Sequence, residues 1–320
     1  MRTAILTGAN GFVGGALLKE LLVNGYKPFC IIRPSSKEEF LAKLDKLSSD
    51  GIDTSQVVIV PEDLSNIDSI KNTLKSYTDG FDVFFHLAWH GSAGVDRSDL
   101  GLQLLNVKVS ADMVELAKYL SCSVFVGAGS IMEDEVLKMS YQRSGKTSPN
   151  YIYSSAKLEA HLVCQIKAEA LGLDFRWAKI TNAFGEGDNT GRFVNTMLRK
   201  MMNNEPCTFS KADQFYDFIY ITDAAKAFRL IAERGQNKQI YCLGSGKATM
   251  LRDFIAIMKD VTNTSSTLVF SDNTTGVCYL DRNSFSTDTL TEDTDYSPNI
   301  SFREGISKTV DYLRQIYYIT

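Results

Sequence analysis

Histidine is scarce in this chain: His86, His90 and His161 are the only three among 320 residues, and they do not cluster. The six cysteines, Cys30, Cys122, Cys164, Cys207, Cys242 and Cys278, form no CxxC pair and no metal-ligand spacing. No metal ligand is therefore assigned. Most of these cysteines sit in apolar runs, which reads as small buried hydrophobes in a reducing compartment. Long apolar runs are missing too. None reaches the roughly 18 residues that a membrane-spanning helix needs, and the chain opens on a strand-like run rather than a secretion signal. The expectation is a cytoplasmic protein with no membrane partner. Nor is there an excess of positive charge. With 34 Lys and Arg against 38 Asp and Glu, the net charge is −4, which disfavours nucleic acid, because neutralising phosphates needs a basic face. No repeat, linker or low-complexity segment argues for a third domain.

What is present starts with Thr7-Gly8-Ala9-Asn10-Gly11-Phe12-Val13-Gly14-Gly15. It joins the apolar run Ala4-Ile5-Leu6 to the helix-like Ala16–Leu22, so it reads as strand, tight turn, helix. In that setting Gly8 permits the turn and Gly14 lets helix pack on strand. Gly11 lets the backbone approach a diphosphate held by the helix N-terminus. The turn from Gly8 through Asn10, Gly11, Phe12 and Val13 to Gly14 is thus a candidate dinucleotide cradle, against the plain alternative of an ordinary loop.

Apolar, β-branched runs then alternate with helical patterns, the signature of repeated βαβ units. Strands are expected near Arg2–Leu6, Phe29–Arg33, Val57–Val60, Val83–Leu87, Val124–Val126 and Phe175–Thr181. Helices are expected over Leu100–Leu120, from Tyr151 onward, and near Arg303–Ile316. Phe218–Ile221 reads as a strand running into a helix that returns to the first domain. The fold class is α/β, a Rossmann doubly wound parallel sheet with a smaller, discontinuous C-terminal α/β substrate domain. The dinucleotide-binding domain is expected to comprise residues 1–180 and 215–243, the substrate domain 181–214 and 244–320.

Where an NAD-preferring sheet offers a carboxylate after its second strand, this chain has Arg33-Pro34-Ser35-Ser36-Lys37. A guanidinium with hydroxyls beside it, Arg33 and Ser35, suits a 2′-phosphate, so NADP is expected ahead of NAD. Asp63-Leu64, after the third strand, is placed to accept from an adenine amino group or to cap the next helix. Tyr153 and Lys157 stand one helical turn apart on one face. Spacing alone is weak, but the preceding strand ends in Gly127-Ala128-Gly129-Ser130, which brings a hydroxyl to the same edge. A free phenol titrates near 10, and a nearby ammonium and a positive nicotinamide favour its phenolate. Tyr153 can then serve as general acid or base.

These residues resemble a known family, the extended short-chain dehydrogenase/reductases of the NAD-dependent epimerase/dehydratase group. The resemblance covers nearly the whole length. It rests on Gly8-Ala-Asn-Gly11-Phe-Val-Gly14, on His86-Leu87-Ala88 after the fourth strand, on Asn106-Val107, and on Ser130 with Tyr153 and Lys157. Lys179-Ile-Thr-Asn182-Ala-Phe-Gly185 and Asp217-Phe-Ile-Tyr220-Ile-Thr-Asp223 extend it. The resemblance implies that Ser130 orients the substrate oxygen, Tyr153 exchanges the proton and Lys157 holds the nicotinamide ribose. It also implies that Leu87, Ala88 and Asn106 border the cofactor and that Asn182 contacts the substrate. The implied substrates are nucleotide-diphosphate sugars, oxidised or reduced at C4, and the implied assembly is a homodimer pairing the helices of Leu100–Leu120 and Tyr153.

Departures narrow this reading. Sugar 4,6-dehydratases follow their catalytic Thr with an Asp-Glu pair, whereas Ile131 and Met132 follow Ser130, so elimination is not expected. Gly129-Ser130-Ile-Met-Glu133-Asp134-Glu135 is similar to a segment of CDP-abequose-type 4-keto reductases, with Asp134 in place of Tyr; alternatively it is a solvated acidic turn. Lys179 replaces Arg. Tyr216 stands where relatives carry a diphosphate-binding Arg, leaving Arg192 or Arg282 for that task. Trp89 and His90 follow the fourth strand at the expected pocket mouth, where they can close over a sugar, and Val95–Ser98 is read as the start of the long helix, capped by Asp96 or Ser98. The first reading is an NADP-dependent 4-keto reductase. A 4-epimerase retaining NAD, a reductase of small aldehydes or phenolic ketones, and a catalytically idle NADP-binding sensor or scaffold stay open beside it.

Overall fold

The computed structural model describes residues 1–141, 148–149, 151–272 and 279–317; Cys278 lies outside them. Six strands come first: β1 (Arg2–Thr7), β2 (Tyr26–Ile32), β3 (Val58–Pro61), β4 (Phe81–His86), β5 (Cys122–Ser130) and β6 (Asp174–Ile180). With the edge strand Ile240–Leu243 they form one parallel sheet. Its order is Ile240–Leu243, β6, β5, β4, β1, β2, β3, so the winding reverses between β1 and β4. The helices around it include α1 (Phe12–Val23), α2 (Lys37–Ser49), α3 (Ile67–Lys75), α4 (Leu100–Tyr119), α5 (Met132–Tyr141), α6 (Tyr151–Leu171), α7 (Phe193–Met202) and α8 (Ile221–Arg234). The expected Rossmann doubly wound sheet is therefore what the chain forms. Among the described residues no helix is long and apolar enough to cross a membrane.

Alternation along each strand divides the core into two layers. Ala4, Leu6, Val83, Phe85, Val124 and Val126 pack towards α1, α2 and α8, where Leu17, Phe40 and Phe228 are fully buried. Ile5, Phe84, Phe125, Phe175 and Trp177 point the other way, onto α3, α4 and α6. A third core gathers Phe184, Leu198, Phe218, Phe254, Met258 and Val310 from the second half of the chain.

Three boundaries differ from expectation for identifiable reasons. β2 starts at Tyr26 and includes Pro28, which a central strand disfavours. Pairing with β3 begins only at Phe29, so Pro28 has β1 on one side and no ladder to supply on the other. β5 runs on through Gly127 and Gly129, because the Trp177 indole lies against both; a Cβ at either would come within 2.2 Å of that ring. Phe218–Ile221 does not join the main sheet. Only Ile219–Tyr220 is extended, paired with Ala183–Phe184, and the helix that follows is α8.

A buried hydrogen-bond chain ties the reversal point together. Ala88 N–H donates to Thr7 Oγ1 at 3.2 Å, and Thr7 Oγ1 lies 2.9 Å from His86 Nδ1. His86 Nε2 lies 3.0 Å from Ser110 Oγ, which donates to Asn106 O at 2.8 Å. Because Ser110 gives its proton to Asn106, it accepts from His86 Nε2, and in the neutral ring that burial favours, Nδ1 accepts from Thr7. Burial, with Lys157 second, pulls the His86 pKa down to about 3 from 6.5.

The unfolded chain thus binds a proton near pH 6.5 that the folded protein refuses. This contribution is complete above about pH 6.5 and is lost as pH falls towards 3. We expect His86→Asn to cost about 1–3 kcal/mol at neutral pH, since it takes the buried ring away from the Thr7 and Ser110 hydroxyls. Urea unfolding should also show a smaller loss of stability for the variant than for the wild type between about pH 7 and pH 5. Equal losses would contradict the assignment of a neutral, buried His86.

Candidate active site

At the reversal point the glycine turn passes under the end of β4. Gly8 has φ +79°, and a Cβ there would meet Ala88 N and Leu87 C at 2.8 Å. Gly14 is tighter still, since its Cβ would fall 2.1 Å from Gly8 O. No side chain would fit at either position. Gly11 donates to Gly8 O at 2.9 Å and precedes α1 without any side-chain cap. Asn10 Oδ1 is buried with no partner. An uncapped helix N-terminus, a turn bare of side chains at Gly11 and an orphaned acceptor together fit a dinucleotide diphosphate and its ribose. Phe12 and Val13, in the first turn of α1, pack on the cores behind it. Lys43 of α2 was not anticipated from the sequence: its Nζ donates to Asn10 O at 2.6 Å and lies 3.4 Å from Ala9 O and Gly11 O. Burial lowers its pKa, opposed by Glu39.

Arg33 directly follows β2 and Asp63 follows β3, with Arg33, Ser35 and Asp63 all exposed. Hydrogen bonds from Ser65, backbone first and hydroxyl second, lower the Asp63 pKa, and the Arg33 charge adds to this. Asp63 is not a helix cap: α3 begins at Ile67 after Asn66, and Asp63 Oδ1 closes a local turn with Ser65 N at 2.9 Å. Leu64 and Leu87 pack on opposite cores.

Ser130, Tyr153 and Lys157 come together where β5 ends beside α6. The Tyr153 phenol faces the Ser130 side chain, and Ser130 Oγ accepts from Met132 N at 3.2 Å. Lys157 Nζ donates to Ala128 O at 2.9 Å and lies 3.7 Å from the centroid of the Trp89 ring. Burial pulls its pKa down to about 7, with Glu133 opposing. Burial likewise raises the Tyr153 pKa, while Arg97, Arg192 and the Ser130 hydroxyl lower it.

The acidic run after Ser130 is not a solvated turn. Glu133 is only 1% exposed. It accepts from Ser130 N at 2.7 Å and Trp177 Nε1 at 3.1 Å, and its Oε2 lies 3.0 Å from His161 Nδ1. A carboxyl this deeply buried is tolerated because its oxygens have partners. Asp134 pairs with Lys179 at 2.7 Å and 2.8 Å, so two departures from the family pattern prove to be one compensated pair.

The loop after β4 is held from α4. Trp89 Nε1 donates to Gln103 Oε1 at 2.9 Å, and Gln103 Nε2 donates to Gly91 O and Asp96 O. Asn106 clasps the His90 backbone in both directions, at 2.8 Å and 3.0 Å, while the His90 side chain is exposed. The expected helix start at Val95–Ser98 is instead a 3-10 turn, Gly94–Ser98. Asp99, not Asp96 or Ser98, is the cap, accepting from Leu102 N at 3.0 Å. The turn carries Arg97 to within 4.4 Å of the Tyr153 ring centroid. Neither Arg97 nor Gln103 had a legible signal in the sequence beyond its proximity to Trp89 and Asn106.

On the substrate side, a narrow cleft is lined by Ile131, Met132, Glu135, Asn182 and Phe215, closed by Leu280 and Phe285. Asn182 Nδ2 donates to Asp217 O at 3.0 Å. Burial pushes the Glu135 pKa up to about 7, against the Arg97 charge. Arg192 precedes α7 and contributes to the field at Tyr153. Arg282 is exposed and donates to Ala248 O at 3.0 Å, at the closing edge near Phe285. Two motif aspartates are staples of the fold: Asp217 accepts from Ser245 N at 2.8 Å, and Asp223 from Asn299 N and Ile300 N.

Comparison with known proteins agrees with this architecture. CDP-abequose synthase of Salmonella muenchen is 26% identical over 268 residues, 82% of this chain and 81% of its own length. A Bacillus subtilis (strain 168) protein described as the uncharacterized UDP-glucose epimerase YtcB is 25% identical over 98% of both chains. The crystal structure of Bacillus cereus UDP-glucuronic acid 4-epimerase with UDP-glucuronic acid and NAD superposes with a TM-score of 0.76 at 20% identity, covering 98% of this chain and 100% of that one, and so shares its fold. The sequence model of the NAD dependent epimerase/dehydratase family matches residues 4–244. This chain is a member of that family.

Proposed function

We propose that this protein is an NADP-dependent reductase acting at C4 of a 4-keto nucleotide-diphosphate sugar. The observation that carries the reading is Tyr153 buried beside Ser130, with Lys157 one turn further along α6 and apolar Ile131 and Met132 where elimination would need an acid and a base. Residues 1–180 and 215–243 form the dinucleotide part in this reading, and 181–214 with 244–320 the sugar-nucleotide part. Gly8, Asn10, Gly11 and Gly14 would hold the diphosphate and ribose, Arg33 and Ser35 the 2′-phosphate, and Asp63 the adenine. The dinucleotide, when bound, supplies hydride chemistry. Tyr153 donates its proton to the oxygen at C4, and Ser130 holds that oxygen in line while refilling the hydrogen bond to the phenolate. Lys157 borders the ribose, Asn182 and Trp89 bracket the sugar, and Arg192 meets the diphosphate. A cytoplasmic setting suits the free thiols of Cys30, Cys122, Cys164, Cys207 and Cys242.

A second reading, a 4-epimerase that retains its dinucleotide, is favoured by the relative from Bacillus subtilis and by the Bacillus cereus structure. It uses Tyr153 in both directions, first as base and then as acid. Identifying any co-purifying dinucleotide separates the two. Retained NAD supports the epimerase; an empty site with selective NADPH uptake and oxidation by 4-keto nucleotide sugars supports the reductase.

Tyr153→Phe is expected to lower kcat at least about a hundredfold with dinucleotide affinity preserved; near-normal turnover removes Tyr153 from the chemistry. Arg33→Asp is expected to reduce the preference for NADPH over NADH by about tenfold or more in binding titrations. An unchanged ratio places 2′-phosphate recognition elsewhere. We further propose a homodimer through α4 and α6, which expose Leu104, Leu105, Leu162 and Ile166. Leu162→Glu combined with Ile166→Glu should then yield a monomer in sedimentation, and an unaltered sedimentation coefficient would count against this face.

A further inference from the structure

Tyr153 must part with its proton in the reading above, yet burial works to keep the proton on. Lys157 Nζ donates to Ala128 O and sits over the Trp89 ring, whose centroid lies 6.0 Å from that of Tyr153 in an edge-to-face pair. The cation on the Tyr153 ring is Arg97, with Cζ 4.4 Å from the centroid. Its Nη2 touches Met132 Sδ at 2.8 Å, and its Nε is buried without a partner. Among the described residues no carboxylate forms an ion pair with Arg97, so its charge is not neutralised by contact. Glu135 faces it from α5, but burial disfavours the ionised form of that carboxyl. A guanidinium stays protonated at every pH a protein tolerates.

We propose that Arg97 is the positioning residue for proton exchange at Tyr153: its guanidinium, stacked on the ring, is the permanent positive charge that makes the phenolate accessible. The other groups facing the phenol are Arg192 from the start of α7, Ser130 at the end of β5, and Glu133, which opposes them. Of these, Arg97 is the charge in direct ring contact. The proposal rests on Tyr153 as the acid–base group, and its test needs no substrate.

The test is an NMR titration of the protein carrying isotope-labelled Tyr Cζ, with the Tyr153 resonance assigned by its absence from Tyr153→Phe. The wild-type phenol should titrate before alkaline unfolding. Arg97→Ala should move that titration upward by about one pKa unit or more, and Arg97→Lys should restore part of the shift. NADPH affinity should stay near wild type, because Arg97 lies outside the glycine turn. Should Arg97→Ala fail to fold, the comparison with Arg97→Lys decides, because a flexible ammonium cannot stack as a guanidinium does and the titration should still rise. A titration at one common pH in wild type and variants overturns the proposal, as does a wild-type Tyr153 that never titrates. Failure to turn over any nucleotide sugar would overturn the functional reading instead and leave this titration intact.

Discussion

The contact on which the rest depends is between two backbones. Gly14 in the first turn of α1 lies so close to Gly8 O that no side chain fits between them. That approach brings the helix N-terminus up to the point where the sheet reverses, the place where an open α/β sheet leaves a crevice. Gly8 in turn presses on Leu87 and Ala88, so the turn also sets where β4 ends. From Ala88 the hydrogen bonds run through Thr7, His86 and Ser110 to Asn106, whose amide grips His90. One steric constraint is thereby carried into the loop above the site. Burial keeps the imidazole in the middle of that chain neutral, so that it donates to Ser110 and accepts from Thr7.

A second anchor acts from the other side. Glu133 takes the Ser130 N–H on one oxygen and reaches His161 with the other, while the His161 ring lies flat against Trp177 at 5.0 Å. The same indole covers Gly127 and Gly129, so β5 is straight and bare where it delivers Ser130. His161 lies one turn beyond Lys157 on α6, and the carboxyl therefore links the strand that carries the hydroxyl to the helix that carries Tyr153 and Lys157. Strand and helix are held at fixed spacing by a side chain that lies outside the glycine turn and the cleft lining.

The parallel sheet and the glycine turn were legible in the sequence because they follow from periodicity and from glycine chemistry, both of which are local. Ser130, Tyr153 and Lys157 were legible as candidates because strand end and helix start each leave a pattern. Arg97, Gln103 and Lys43 were not. Arg97 reaches Tyr153 only because Gly94–Ser98 folds as a 3-10 turn rather than helix, and Asp99 is the residue that decides it by capping α4. Lys43 sits mid-helix in an amphipathic pattern where a lysine reads as surface. Its partners, the Asn10 and Ala9 carbonyls, are 33 and 34 residues away in sequence. The strand at Phe218–Ile221 was misread for the same reason: Ile219 and Tyr220 are extended, but the sheet they join is a two-residue pairing with Ala183–Phe184 that no periodicity announces.

The three carboxyls after Ser130 bear directly on reaction type. Eliminating water across a sugar C5–C6 bond needs one group to take a proton and another to give one. Glu133 is enclosed by Ser130 N–H, Trp177 and His161, and Asp134 is closed off by Lys179. Only Glu135 lines the cleft, where its neighbours Ile131, Met132 and Phe215 are apolar and the ionised form is disfavoured. One carboxyl at the cleft, and none at the two positions following Ser130, counts against elimination in the reading proposed above. Proton exchange at a single oxygen, by contrast, requires only Tyr153 and a hydroxyl to share it with. That demand is common to reduction and to epimerisation, the two readings proposed above.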